Sequence, residues 1–289
     1  MINFLKYTKL YAFISILVIS VGMTSLFMYG PKLSIDFTGG AILDYSFNKP
    51  VSEGEVVNIL VKNSLSIVDE SRQSPTRILI RTKLISDEKE ALVRKDLEKK
   101  LGVKIKLLRF ETVGPTLGVE VMRKTLAASF VAIIGILLYL TFAFKRMNYG
   151  VAAVVAMFHD FLVVVGCYSI ISHFFGAEMD TLFVTALLTT LSFSVHDTIV
   201  VFDKIREHEK YSSLPLTIMA NKAFTETVVR SVNNSLTIIL MLVPLMIFGG
   251  SSIRFFAVAL LIGTITGMYS SPFVATPFLV FLESRRKVK

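Results

Sequence analysis

Cysteine occurs once in this sequence, at Cys167, inside an apolar run. One thiol cannot close an internal disulfide, and there is no cysteine cluster to hold zinc. No H-E-x-x-H segment occurs, so the two His-Asp pairs, His159-Asp160 and His196-Asp197, carry little metal-binding signal. The chain lacks a G-x-x-x-x-G-K-[ST] loop, which excludes that route to ATP. It also lacks the G-x-G-D element usual in intramembrane aspartyl proteases, because Asp197 follows Ser194-Val195-His196. There is no internal repeat and no low-complexity stretch. These gaps leave no enzyme class and no cofactor indicated.

What the sequence has in excess is apolar length. Of 289 residues 53% are hydrophobic, and they gather into long runs that a soluble domain rarely contains. A bilayer core about 30 Å thick is spanned by about 20 helical residues at about 1.5 Å each. Backbone groups in lipid must be satisfied by a helix or a closed barrel, and these runs are too continuous for alternating barrel strands. Six helical spans are predicted, over residues 10–29, 125–144, 150–172, 181–202, 231–248 and 253–281. The first follows Lys6 and Lys9, as a secretory signal would, but it exceeds a signal core and no A-x-A-like site follows. It reads as an uncleaved anchor. In the last span, Ser270-Ser271-Pro272 predicts a kink or irregular turn, because proline removes a helical donor. Gly249-Gly250, Gly263 and Gly267 read as devices for close packing.

Residues 31–124 differ in kind, holding 17 of the 31 basic and 13 of the 22 acidic residues, which suits a water-exposed domain. Strand character at 41–47 is followed by a helix from a Ser52 cap to about residue 63, with Glu53 and Glu55 in its first turn. Short strands are predicted at 65–69 and 77–82. Ser86 opens a charged amphipathic helix to 101, closed by Gly102, and 103–113 alternates as a strand does. The order β-α-β-β-α-β is the split pattern of ferredoxin-like α+β folds.

The net charge of +9 would suggest nucleic acid in a soluble protein. Here the simpler reading is that cytoplasmic loops collect Lys and Arg, and no nucleic-acid partner is indicated. Of the 14 basic residues outside 31–124, all but Arg254 fall on one side if both termini are inside: Lys6, Lys9, Lys145, Arg146, Lys204, Arg206, Lys210, Lys222, Arg230, Arg285, Arg286, Lys287 and Lys289. The opposite short loop, 173–180, has two acids and no Lys or Arg. The expected layout is a cytoplasmic N-terminus and first span in 1–30, an extracytoplasmic domain in 31–124, spans two to six in 125–282 with a cytoplasmic loop near 203–230, and a basic tail in 283–289. Within that loop, 214–229 has helical apolar spacing and is expected to lie along the membrane face.

Ionisable residues inside spans are costly, about 2.5–3.5 kcal/mol at a helix centre, and so mark candidate sites. Span three carries His159-Asp160 and span four carries His196-Asp197, with Asp203 at its end. Asp197 precedes Asp203 by six residues, about 9 Å of helical rise, and Arg230 stands at the base of span five. Asp197 and Arg230 therefore fall at similar depth. Two readings stay open for Asp197: a proton relay whose carboxyl responds to the nearby arginine, and a static buried pair that fixes helix packing. For Asp160 a packing or hydrogen-bonding role is the simpler reading, and for Asp203 and Arg206 an interfacial one.

Six segments, taken in order, resemble the SecF family of bacterial protein-export proteins. Ser34-Ile35-Asp36-Phe37-Thr38-Gly39-Gly40 is similar to its G-I-D-F-T-G-G element, where the glycines suggest a tight hairpin into the first strand. Val113-Gly114-Pro115 matches its V-G-P, and Ala156-Met157-Phe158-His159-Asp160 its A-x-x-H-D. The stretch from Ser194 to Glu207 resembles S-x-N-D-T-x-V-x-F-D-R-x-R-E. Asn233-Asn234-Ser235-Leu236-Thr237, following Arg230, resembles the start of span five, and Tyr269-Ser270-Ser271 the Y-S-S of span six. The resemblance covers essentially the whole chain. It implies a six-helix half of a twelve-helix unit of the resistance-nodulation-division type, completed by SecD. It implies partners in the SecYEG channel and YajC, translocating preproteins as cargo, and use of the proton gradient across the bacterial inner membrane. Asp197 and Arg230 match the positions that the family implicates in proton conduction, with His196 and Asp160 as further candidates. The span-four motif departs at two positions: His196 stands where the family has Asn, and Lys204 where it has Arg. His196 reads first as a neutral hydrogen-bonding substitute, and imidazole chemistry also allows it to join a relay.

Overall fold

The computed structural model describes residues 2–144 and 146–286. Lys145, Lys287 and Lys289, counted above for orientation, lie outside the described residues, as does the side chain of Arg286. The chain divides into two compact units, residues Leu33–Leu126 and residues Met1–Lys32 with Ala127–Lys289.

The first unit is the β-α-β-β-α-β arrangement. Strands β1 (Gly40–Phe47), β2 (Ile67–Ser74), β3 (Arg77–Thr82) and β4 (Ile105–Val113) form one antiparallel sheet in the order β2-β3-β1-β4. Helices α3 (Glu53–Lys62) and α4 (Asp87–Leu101) connect them, after a single helical turn, α2 (Ile35–Thr38). Alternation places Leu43, Tyr45, Ile78 and Ile80 on one sheet face, where they pack with Val56, Leu60, Val93 and Leu97 of the two helices. The opposite strand positions carry charge. Asp44 is 1% exposed and is held by both donors of Arg77, at 2.9 and 2.6 Å.

Three local readings need correction. Ser86 caps α4 through its hydroxyl, but Ser52 holds the cap position of α3 without a side-chain bond. The second strand starts at Ile67 and runs to Ser74, later than predicted, because its pairing with β3 stabilises a polar edge that has little apolar signature. The Ser34–Gly40 segment forms no hairpin. The Ser34 hydroxyl accepts from the Asp36 N–H and caps the turn α2, in which Phe37 is buried. Gly39 ends it at φ 71°, ψ 167°, a region that effectively only glycine occupies.

Tyr45 gives this unit an alkaline limit. Its hydroxyl is buried and donates to Glu90, which Arg94 also holds. Burial first, and then the Glu90 carboxylate, push the hydroxyl far above its ordinary value of about 10. The folded state thus keeps a proton that the unfolded state releases, so the stabilisation is present below about pH 10 and is lost as pH rises above it. We expect the denaturant midpoint of the domain to fall above about pH 10, and Tyr45→Phe to flatten that decline.

Six helices, of which one begins in the first unit and continues into the second, are long and apolar enough to cross a bilayer, making this a multi-pass membrane protein. They are α1 (Thr8–Tyr29, after a 3-10 turn Phe4–Tyr7), α5 (Pro115–Ala143), α6 (Met147–Phe175), α7 (Thr181–Tyr211), α8 (Leu216–Phe248) and a composite last span. That span is α9 (Ser251–Ser270), a π-helical turn (Ser271–Ala275) and α10 (Thr276–Arg286), so the expected irregularity at Ser270-Ser271-Pro272 is present. The widened turn accommodates a residue that cannot donate and that crowds the carbonyl four positions back. The stretch 214–229 is not a separate surface helix. Helix α8 runs unbroken for 33 residues, because the helical period continues through the polar patch from Arg230 to Asn234.

Helices α6 and α7 are the interior of the bundle, with half and 44% of their most apolar stretches buried, whereas that of α5 is only 6% buried. Small residues set the crossings. A side chain at Gly263 would overlap Thr190, and one at Gly267 would press on Ser194, so α9 lies directly on α7. Gly22 and Gly166 bring α1 onto α6 in the same way, a pair that the sequence reading missed.

Candidate functional site

The buried polar groups of the bundle gather where α6, α7, α8 and α9 meet. Asp197 is half-buried on α7 and borders a cavity of about 320 Å3 whose polar walls include Ser194, His196, Asn234, Ser235 and Thr264. Such a volume exceeds the share of one water, and the walls offer several polar partners. The group that touches Asp197 is the Ser231 hydroxyl of α8, donating to Oδ2 at 2.7 Å. Arg230 precedes Ser231 by one residue on α8, and His196 precedes Asp197 on α7. Among the described residues no ion pair within 4 Å joins Arg230 to Asp197. Arg230 and His196 are both exposed in this chain.

Asp160 is the hub of a second, drier cluster. It is 2% exposed and accepts from Ser194 of α7 and, at 2.7 Å, from Ser270 of α9, while His159 Nδ1 lies 2.9 Å from its other oxygen. Ser271 and Thr198 pair beside it at 2.9 Å. The hydrogen-bonding role expected of Asp160 is thus present in the geometry. Ser194 joins the two clusters, because it bonds Asp160 and also lines the Asp197 cavity.

The remaining candidates fall elsewhere. Asp203 is 77% exposed on its side chain and stands 4.0 Å from Arg206, whose guanidinium reaches the Ala143 carbonyl. Gly39 meets Gly114 and Pro115 within the first unit, next to Asp36, Phe37 and Gly40 in sequence: a side chain on Gly39 would strike Pro115, and one on Gly118 would strike the Gly39 amide. Two segments nearly eighty residues apart in sequence thus form one joint.

Sequence reasoning missed the hydroxyl partners Ser194, Thr198, Ser231, Ser270 and Ser271. Their signal was present, since four of them sit inside the quoted motifs and polar residues inside spans need partners.

The family model for the C-terminal part of protein export membrane proteins SecD/SecF matches residues 93–285, and the SecD/SecF GG motif matches 24–51. The protein translocase subunit SecF of Anaerolinea thermophila is 39% identical, over 98% of this chain and 95% of that protein. That of Thermobaculum terrenum is 38% identical, over 99% and 95%. A crystal structure of SecDF, a translocon-associated membrane protein from Thermus thermophilus, superposes with a TM-score of 0.85 at 31% identity. It matches 98% of this chain, which spans 39% of that longer chain. A SecDF structure in a super-membrane-facing form gives a TM-score of 0.71. The six-span bundle, the split α+β domain and the shared motifs have one explanation: the chain belongs to the SecD/SecF protein-export family, among the SecF translocase subunits.

Proposed function

We propose that this translocase subunit converts the proton gradient into movement of preproteins, with Asp197 as the group that gains and loses the proton and Arg230 as the cation that tunes it. The observation that carries this reading is the half-buried Asp197 carboxyl at a polar cavity inside a membrane span. An ionisable group at that depth is costly, and a site reached by water is what a proton carrier needs. His196 and Asp160 are the further members of the relay, and Asp203 with Arg206 sits at the membrane boundary. The exposure of Arg230, His196 and the cavity mouth supports SecD as the half that covers this face. The SecYEG channel and YajC are the further partners of the assembly. The potential supplies about 2.3 kcal/mol per charge per 100 mV, enough to bias a conformational equilibrium by about fiftyfold.

The charge distribution supports an inner-membrane protein with both termini in the cytoplasm and residues 31–124 outside, where that domain handles emerging substrate or supports SecD. The work is transport, not enzymatic turnover. A second reading is a structural factor that stabilises SecD and the channel; the Ser231–Asp197 bond, which ties α7 to α8, favours it. Preprotein uptake into vesicles bearing the full assembly separates the two. The relay reading expects collapse of the gradient to slow uptake in complexes with the wild-type chain and to change nothing in complexes with Arg230→Ala. The structural reading expects equal sensitivity in both.

A further inference from the structure

Asp160 has more donors than packing requires, and one of them borders the Asp197 cavity. Ser194 precedes Asp197 by three residues on α7, so the two share a helix face and open on the same space. From there the Ser194 hydroxyl points to Asp160. The other serine on that carboxylate, Ser270, is the last residue of α9, immediately before the π-turn. Its hydroxyl has a second acceptor nearby, the Gly267 carbonyl at 3.4 Å.

We propose that Asp160 is a second proton-accepting carboxylate, filled from the Asp197 cavity through the Ser194 hydroxyl, and that its protonation sets the hydrogen bonding of the π-turn. The inference rests on the relay reading of Asp197. The transfer balances: the Asp197 carboxyl gives its proton to cavity water, the water gives one to Ser194 Oγ, and Ser194 passes its own to Asp160 Oδ2. One proton has moved, Asp197 is left ionised, and the hydroxyl is regenerated.

An ionised Asp160 accepts from both serines. A protonated one donates through one oxygen, so one serine must turn. Ser270 has the Gly267 carbonyl to turn to, whereas Ser194 lies under α9 against Gly267. The change therefore reaches the junction of α9 with the π-turn, where Ser271 also bonds Thr198. Such turns are frequent at functional sites because their hydrogen bonding is already irregular.

From the Asp197 cavity the route reaches Asp160. Beyond it stand His159, whose Nε2 is buried without a partner among the described residues, and a second cavity of about 450 Å3 between α1, α6 and α10. That cavity is largely apolar, with Ala12, Ile16, Leu162, Pro277 and Phe278 in its wall, and its polar groups are Thr8, Ser15 and His159. The titratable groups around Asp160 are His159 on α6, Asp197 beyond Ser194 on α7, and, stacked on His159, Tyr269 of α9, whose hydroxyl is held by the Tyr11 carbonyl and Ser15 of α1.

Infrared difference spectroscopy tests this on the chain assembled with SecD in lipid, labelled with 13C-aspartate and taken from high to low pH. Among the protonated-carboxyl bands that grow on acidification, one should be missing in Asp160→Asn and another in Asp197→Asn, while the bands of the seven other aspartates stay in both. In Ser194→Ala, deuterium exchange at the Asp160 band should slow by about 100-fold, the low end of what a positioned proton-transfer group contributes, with the Asp197 band unchanged. If the Asp197 band titrates while Asp160 contributes none at any pH, or if its exchange is as fast in Ser194→Ala as in wild type, this inference is overturned alone. An Asp197 carboxyl that does not titrate overturns the relay reading and the filling route with it. Asp160→Glu and Asp197→Glu, which keep a carboxyl but lose the 13C-aspartate label, assign the same two bands if an asparagine variant fails to assemble.

Discussion

Asparagine at position 197 is expected to abolish gradient-driven export while leaving the chain in its assembly. The amide keeps the shape of the side chain and can still accept from the Ser231 hydroxyl, which lies 2.7 Å from the carboxylate. What it loses is the proton. Export under an imposed gradient should therefore fall to the rate seen with no gradient, at unchanged amounts of complex. The paired control is Ser231→Ala, which removes the hydrogen bond and spares the carboxyl. That change should weaken the contact of α7 with α8 by about 1 kcal/mol and leave gradient-driven export within a few-fold of wild type. If instead Ser231→Ala were the damaging change and Asp197→Asn the silent one, Asp197 would be a packing residue. Purified complexes assayed for uptake, with assembly scored separately, give the comparison.

The second large effect is expected at Gly39→Val. Its backbone lies in a region that costs a non-glycine residue about 1–3 kcal/mol. Any Cβ there would also come within 2.7 Å of Pro115 Cα, so the joint between α2 and the start of α5 must open. Together these predict a loss of about 3 kcal/mol or more in the stability of the first unit. Gly54→Ala is the contrasting change: Gly54 lies in α3 with no atoms near its missing Cβ, and it should gain about 0.5–1 kcal/mol. Denaturant unfolding of both variants, followed by proteolysis of the domain, measures the difference. Equal stabilities would show that the joint carries no load.

Much of this architecture was legible in the residues. Apolar runs located the six spans because a hydrocarbon interior tolerates few other patterns, and Asp87 to Leu101 was bounded at both ends by Ser86 and Gly102. Legibility failed where long-range pairing outweighed local signal. Strand β2 carries Asp69, Glu70, Arg72 and Gln73, a polar run that is a strand only because β3 lies beside it. Gly39-Gly40 suggested a hairpin, since glycine permits many turns and sequence does not say which one the packing on Pro115 selects. Polar residues around Arg230 interrupted the apolar count and hid the continuity of α8.

The site followed the same division. The depth of Asp197 could be counted along the helix, but the residue in contact with it is Ser231, the neighbour of Arg230 on α8. Asp160 was legible as a buried acid needing partners. That those partners would be Ser194 and Ser270 depends on α6, α7 and α9 meeting at one point, through Gly263 and Gly267. Spacing along one helix is written in the sequence, whereas the meeting of three helices is a property of the packed bundle.

The most direct measurement is proton flux through vesicles holding the complete assembly at a fixed pH gradient, read with an internal pH dye. The account predicts flux above the lipid background for the wild-type chain, and a fall to that background for Asp197→Asn. Flux that stays at the wild-type level with asparagine at 197 would contradict it.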